Sequence, residues 1–200
     1  MKAQMKRIED CAEVLAGLSL KSRAEHEPQG THQVILMKHL KEDVPYSYNA
    51  DHQLRITTGK SLERYTVKKG DILFTARGLR NEAIMVENVP ENTVASSALY
   101  IIRGKNNVET GYLFWMLNQP HIKAKIIQAR TGAGTPLVQR AELLDIEIPV
   151  PNSEMQMKVI SLNNLMTKER SLRNDLFEQS KTLHRAIGQQ MYEQIQKGQE

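Results

Sequence analysis

The sequence predicts a mixed α/β (α+β) protein, a compact strand-rich domain over residues 1–151 followed by one long C-terminal helix over residues 152–200. Three observations carry that reading. Short apolar runs rich in β-branched residues recur as far as Val150, separated by turn residues and without a regular strand–helix alternation. Residues 143–151, Leu-Leu-Asp-Ile-Glu-Ile-Pro-Val-Pro, close that part of the chain with two prolines. From Glu154 to Gln196 there is no proline and Gly188 is the one internal glycine, so the remainder reads as an unbroken helix.

Taken in order, residues 8–17 form a short amphipathic opening that stops at Gly17, and a polar loop follows through Gly30. The apolar run of residues 32–37 reads as a buried strand, and residues 38–55, with Pro45, Tyr46 and Tyr48, as a loop. Residues 65–67, 68–71 and 72–75 read as strand, tight turn around Gly70, strand. Two more strands are expected at residues 83–86 and 98–102. A helix is expected at 111–117, ending near Pro120, and a second at 122–127, ending before Gly132. Residues 146–148 close the domain as a strand.

In the last segment apolar residues fall at Val159, Leu162, Leu165, Leu172, Leu176, Leu183, Ile187, Met191 and Ile195. Steps of three, four and seven place them on one narrow helical face, the pattern of a coiled-coil seam, interrupted by Glu169 and Gln179. At 1.5 Å per residue the rod spans roughly 60 Å. A helix of that length needs a partner helix, from a second copy or another chain. Folding back on its own domain is the alternative.

Composition narrows the function classes. Two hundred residues accommodate one domain and an appendage, and 40% hydrophobic with 25% charged residues is ordinary for a globular protein. No apolar run approaches the roughly 18 residues that cross a bilayer, and the N-terminus lacks an apolar signal core, so a cytoplasmic protein without a membrane partner is expected. The single Cys11, flanked by an acid, excludes an internal disulfide framework and a zinc site built on cysteine pairs. The net charge of +4 says less than its placement. Residues 74–81 hold two arginines and no acid, and residues 121–140 hold Lys123, Lys125, Arg130 and Arg140 and no acid, which suits a polyanionic partner.

Catalytic readings find little support. There is no Asn-Pro-Pro-Tyr-type methyltransferase motif and no glycine-rich cofactor loop, so neither a cofactor nor a catalytic residue is assigned. Asp71, Glu82, Glu87, Asp145 and Glu147 make no Asp…Glu-x-Lys arrangement of a nuclease. His26, His32, His39 and His52 are spaced by six, seven and thirteen residues, which matches no compact metal-ligand pair.

With these segments named, the chain resembles the specificity subunit of type I restriction–modification systems. The resemblance runs through the opening Ile-Glu-Asp-Cys-Ala-Glu-Val with Gly17, the strand and turn of residues 67–78, and the Ala-Ser-Ser-Ala-Leu segment at 95–99. It continues through the Tyr-Leu helix at 112–117, the loop Thr-Gly-Ala-Gly-Thr at 131–135, and residues 146–151 with Gln156 and Ile160 after them. Members usually carry two target recognition domains and two helical spacers. One of each is found here, the organisation of a half-size subunit.

The resemblance implies a DNA-binding target recognition domain over residues 1–151 that reads one half of a bipartite duplex target. It implies a spacer that sets the gap to the other half while pairing with a second copy or another half-subunit through Leu162, Leu165, Leu172, Leu176, Leu183 and Ile187. Methyl transfer from S-adenosylmethionine would belong to partner methyltransferase subunits, and cleavage to a restriction subunit where one is present. The alternative is a stalked interaction protein or decoy that binds restriction–modification subunits and never touches DNA.

Three segments are the candidate DNA contacts. Arg77 and Arg80 flank Gly78 in the loop of residues 76–81. Arginine bonds guanine bidentately, and Asn81 is expected to read adenine. Arg130, Thr131 and Thr135 offer a cation and two hydroxyls to phosphate, in a loop that lacks the Gly-Lys-Ser/Thr ending of a nucleotide-binding P-loop. Lys38, His39 and Lys41, with Tyr46 and Tyr48 nearby, form a third surface suited to gripping phosphates. A solvated hairpin tip, a flexible turn and an ordinary exposed loop are the respective alternatives.

Overall fold

The chain begins with strand β1 (Gln4–Arg7), a single helical turn α1 (Ile8–Cys11) and strand β2 (Ala12–Ala16), where the sequence reads as one amphipathic opening. Ile8 and Cys11, three apart, bury on one side of the turn. Ala12 and Val14 then bury on alternate positions, as a strand requires. The computed structural model describes residues 3–20, 25–49, 54–58, 61–132 and 134–197; His52 and Ala133 of the sequence reading lie outside them.

Strand β3 (His32–Ile35) stands where the apolar run predicts it and passes into a 3-10 turn at Met37–His39. The segment read as loop carries two short strands, β4 (Tyr46–Ser47) and β5 (Arg55–Ile56). The strand expected at residues 65–67 is absent. A 3-10 turn occupies Glu63–Tyr65, and Thr66 makes a lone bridge to Val94. The Thr66 carbonyl there accepts a hydrogen bond from the Arg103 guanidinium at 2.9 Å, and that guanidinium also grips the buried Asp71 carboxylate at 2.8 Å. After a tight turn at Gly70 (φ +88°) come β6 (Ile72–Thr75), β7 (Ala83–Asn88), β8 (Thr93–Ala95) and β9 (Leu99–Gly104). Helices α2 (Thr110–Leu117) and α3 (Pro120–Gln128) follow, the second with proline at its first turn, where the missing N–H has no helical partner to lose. The closing elements are β10 (Arg130–Thr131), β11 (Leu137–Val138), α4 (Arg140–Asp145), β12 (Glu147–Val150) and α5 (Ser153–Lys197).

Among the described residues the strands form a five-stranded sheet ordered β2-β9-β6-β7-β4, a three-stranded sheet ordered β5-β3-β8, and the two-stranded pairs β1-β12 and β10-β11. The order explains the apolar runs. Strand β6 lies between β9 and β7 and is buried at all four positions, so its sequence reads Ile-Leu-Phe-Thr without alternation. Leu73, Ile84, Val86 and Ile101 pack with Ile35 and Ala95 of the three-stranded sheet. Phe74 and Tyr100, directly opposite in the ladder, stack with ring centroids 6.4 Å apart. Gly17 is required by close approach, since a Cβ there would lie 2.2 Å from the Ser96 carbonyl oxygen.

The chain divides into two compact units, Met1–Val159 and Ile160–Glu200. Within the first, Gln156 roots the opening turns of α5. It is 1% exposed; its Oε1 accepts from the Glu109 N–H at 2.9 Å, and its Nε2 donates to the Asn107 and Pro151 carbonyls at 3.2 and 3.0 Å. In the second unit Leu162, Leu165, Leu172, Leu176, Leu183 and Ile187 are all solvent-exposed, and Met166, Phe177 and Tyr192 widen the apolar stripe beyond the narrow seam. Spaced pairs such as Glu169, at a seam position, with Arg173 at 2.6 Å brace the helix locally, worth about 0.2–0.5 kcal/mol each. No described helix is long and apolar enough to cross a membrane.

Candidate nucleic-acid interface

Residues 76–82 connect β6 to β7, and hydrogen bonds hold their backbone at nearly every step. The buried Thr75 hydroxyl donates to the Arg80 carbonyl at 2.6 Å and accepts from the Glu82 N–H at 2.8 Å. Gly78 sits at φ +90°, which disfavours any residue with a Cβ, and its N–H donates to the Pro136 carbonyl at 2.8 Å. Arg77 bridges to Leu137, and the Val138 N–H donates to the Ala76 carbonyl at 2.9 Å. The loop of residues 76–82 and the hairpin β10-β11 are therefore one continuous surface. The sequence places its two strongest candidate segments 49 residues apart, between Asn81 and Arg130, and the fold joins them.

That junction reassigns several side chains. Arg130 donates from Nε to Asn81 Oδ1 at 2.6 Å and from a terminal nitrogen to the Leu79 carbonyl at 2.7 Å. Asn81 is 5% exposed, and its Nδ2 donates to the Thr75 carbonyl at 2.7 Å. Because a guanidinium only donates, the amide orientation of Asn81 is settled, and both ends of the amide are consumed inside the protein. Adenine reading needs both ends, so the expectation for Asn81 is corrected: it is a loop clasp. Arg130, expected as a phosphate cation, spends two of its donor groups on that clasp. Thr131 is exposed, but its hydroxyl already donates to the Leu137 carbonyl and accepts from Gln139, both at 3.3 Å. Thr135 is exposed.

His39 is corrected in the same way. It is 7% exposed, and its Nδ1 accepts the Leu36 N–H at 3.2 Å, closing the 3-10 turn. Lys38 and Lys41 flank it and are exposed. Glu42 reaches Arg80 at 3.9 Å, which brings the Lys41 segment beside the loop of residues 76–82. Both partners are well exposed, so the pair is worth no more than about 1 kcal/mol and leaves Arg80 free to change partners. Glu82 lies behind them, 3.9 Å from Lys123; burial pushes its carboxyl up, reinforced by Glu42.

Residues 2–162 match the family described as the type I restriction modification DNA specificity domain. The chain belongs to this family. A comparison with curated proteins gives no match. Among solved structures, the type I S subunit from M. genitalium is 14% identical, with a TM-score of 0.53 over 86% of this chain and 40% of that one. The subunit from Thermoanaerobacter tengcongensis is also 14% identical, with a TM-score of 0.60 over 84% and 38%. A chain from a structure of type I complex assembly and conformational transition is 15% identical, with a TM-score of 0.66 over 91% and 43%. At these identities the likeness is one of fold, and the specificity-domain chain spans about two fifths of the length of the subunits it matches.

Two elements of the specificity domain escaped sequence reasoning. Leu79, between the two arginines, is 76% exposed although large and apolar. Arg140, in the second basic segment, stays exposed but spends its Nε on the Val14 carbonyl at 2.7 Å. The acid-free stretch of residues 121–140 was a signal of positive charge but not of where each cation points.

Proposed function

We propose that this chain is the sequence-reading component of a type I restriction–modification methyltransferase complex, acting on DNA in the cytoplasm. Its specificity domain reads one half of a bipartite duplex target, and its helix sets the separation of the half-sites. The observation that carries this reading is the locked loop of residues 76–82, which presents Arg77 and Arg80 to solvent beside Lys41 while the Gly78 and Glu82 N–H groups and the Leu79 and Arg80 carbonyls are bonded within the protein. Arg77 and Arg80 bond guanine edges; Lys38, Lys41 and Thr135 hold phosphates and set register. The chain is not the catalyst. Methyl transfer from S-adenosylmethionine takes place on the partner methyltransferase subunits, and any cleavage on a restriction subunit.

The apolar stripe at Leu162, Leu165, Leu172, Leu176, Leu183 and Ile187 pairs with the same stripe of a second copy or of another such unit. Two copies paired antiparallel impose two-fold symmetry, and hence an inverted-repeat target. At 1.5 Å per residue the 45 residues of α5 extend about 67 Å, the length of about two turns of duplex at about 34 Å each, which permits half-sites one to two turns apart. The test is selection from a randomised duplex pool by the purified chain, alone and with its methyltransferase subunit, followed by sequencing of the retained DNA. A gapped inverted repeat is expected; a gapped asymmetric site would assign the second helix to a different chain. No enrichment in either condition would overturn DNA reading in favour of a stalked interaction protein.

A further inference from the structure

We propose that Leu79 is a specificity-determining residue that reads thymine through its C5-methyl group in the major groove. The inference rests on the DNA-reading function proposed above and assigns a base contact within it.

Leu79 is the most exposed large apolar side chain among the described residues, at 76%. A lone exposed leucine is ordinary on a protein surface and needs no explanation by itself. What distinguishes this one is its backbone. The Gly78 N–H is tied to the Pro136 carbonyl at 2.8 Å, the Leu79 carbonyl to Arg130 at 2.7 Å, and the Arg80 carbonyl to the Thr75 hydroxyl at 2.6 Å. Three consecutive residues are thus held by three different parts of the chain, so a loop tip that would otherwise be free to collapse keeps its leucine in water. Docking such a tip leaves little backbone entropy to lose.

The neighbours decide what the leucine meets. Arg77 and Arg80 flank it and are exposed. An apolar protein pocket would have to desolvate both guanidinium groups. A duplex major groove accepts them on guanine edges or phosphates, and the apolar feature it offers is the thymine methyl. The buried amide of Asn81 and the clasped guanidinium of Arg130 are already engaged, so base reading at this tip falls to Arg77, Leu79 and Arg80. Arg130 is then a positioning residue, acting on DNA through the loop it holds.

The experiment uses the full chain, with its methyltransferase subunit if selection requires it, and the half-site recovered from the randomised pool. Each thymine is replaced in turn by uracil, which removes the methyl group and keeps every hydrogen-bonding edge. One replacement is expected to weaken binding about four-fold, the worth of one buried methyl group. Leu79→Ala should weaken binding to the thymine target about tenfold and abolish the further loss caused by that uracil; Leu79→Met should restore part of it. Leu79 lies outside the core, so the variants fold as the parent does. Equal uracil penalties in parent and Leu79→Ala, or no penalty at any position, would overturn the assignment while leaving the recovered site and its reading function standing. Failure to recover any site overturns both.

Discussion

The specificity domain and the helix beyond Val159 treat apolar side chains in opposite ways. In the domain Ile72, Leu73, Phe74, Ile101 and Ile102 are completely shielded from solvent. Along the helix Leu162, Leu165, Leu172, Leu176 and Leu183 are 58–67% exposed. The domain closes its own core, whereas the helix carries an exposed apolar surface; the pairing proposed above would gain about 1.5–3 kcal/mol for each large side chain it buries. The polar groups repeat the contrast. Gln156, at the root of the helix, is enclosed by three hydrogen bonds, and Gln189, farther along it, makes an exposed bond to Glu193. One helix thus begins as part of a core and continues with its apolar side chains in solvent.

The largest effect should come from breaking the exposed side. Leu172→Asp with Leu176→Asp places two charges on the stripe and should weaken pairing at least a hundredfold in sedimentation experiments, while the melting of the domain stays where it was. A parent chain that sediments as a monomer at every accessible concentration, and pairs with no other half-subunit, would remove the pairing role from the stripe. Next in size is Gln156→Ala. It leaves the Glu109 N–H and the Asn107 and Pro151 carbonyls without their partner, at a cost on the order of 3 kcal/mol in denaturant unfolding. Gln189→Ala is the control, with no measurable change expected. Similar losses for the two would erase the distinction between root and stripe.

A third substitution probes the loop of residues 76–82 and its proposed role in reading DNA. Arg130→Lys keeps the charge and loses the planar fork that holds Asn81 and the Leu79 carbonyl together. If Arg130 positions the loop, Arg130→Lys and Arg130→Gln should weaken specific DNA binding to a similar extent, about tenfold, with the salt dependence little changed. If it grips phosphate, Arg130→Lys should retain most of the affinity, and Arg130→Gln should lower the salt slope by about one.

How much of this was legible beforehand follows from the range of each interaction. Strands β6, β7 and β9 announce themselves because burial on both faces leaves uninterrupted apolar runs, and α5 because its pattern is local and long. Strand β1 and the pair β10-β11 do not. Gln4–Arg7 is a polar tetrapeptide that becomes a strand only by pairing with Glu147–Val150 at the other end of the domain. The site divides in the same way. Gly78 between two arginines marks a turn, and both arginines are exposed in the fold. Asn81, His39 and Arg130 look equally available in the sequence. Which polar side chain turns inward is decided by partners distant in the chain, or by a local turn that no periodicity reveals. Gln156 entered the reading through family resemblance alone, and the carbonyls and N–H it satisfies supply the physical reason for it.

The smallest expected effect concerns Glu82, a largely buried acid at the end of the loop of residues 76–82. Burial is the main cause holding its carboxyl above the usual range, with Glu42 and Asp43 adding repulsion and Lys123 opposing them. A carboxyl raised in the fold binds its proton more tightly there than in the unfolded chain. Stability is therefore fully present below the ordinary carboxylate range and is lost as pH rises through the folded value. At neutral pH the charge is a net cost, which Glu82→Gln removes. The variant should melt slightly above the parent at pH 7, and the gap should shrink as pH falls toward 4, where parent and variant both carry a neutral side chain. A constant gap across that range would trace the gain to packing instead. A variant less stable at pH 7 would show that the Lys123 contact at 3.9 Å outweighs burial.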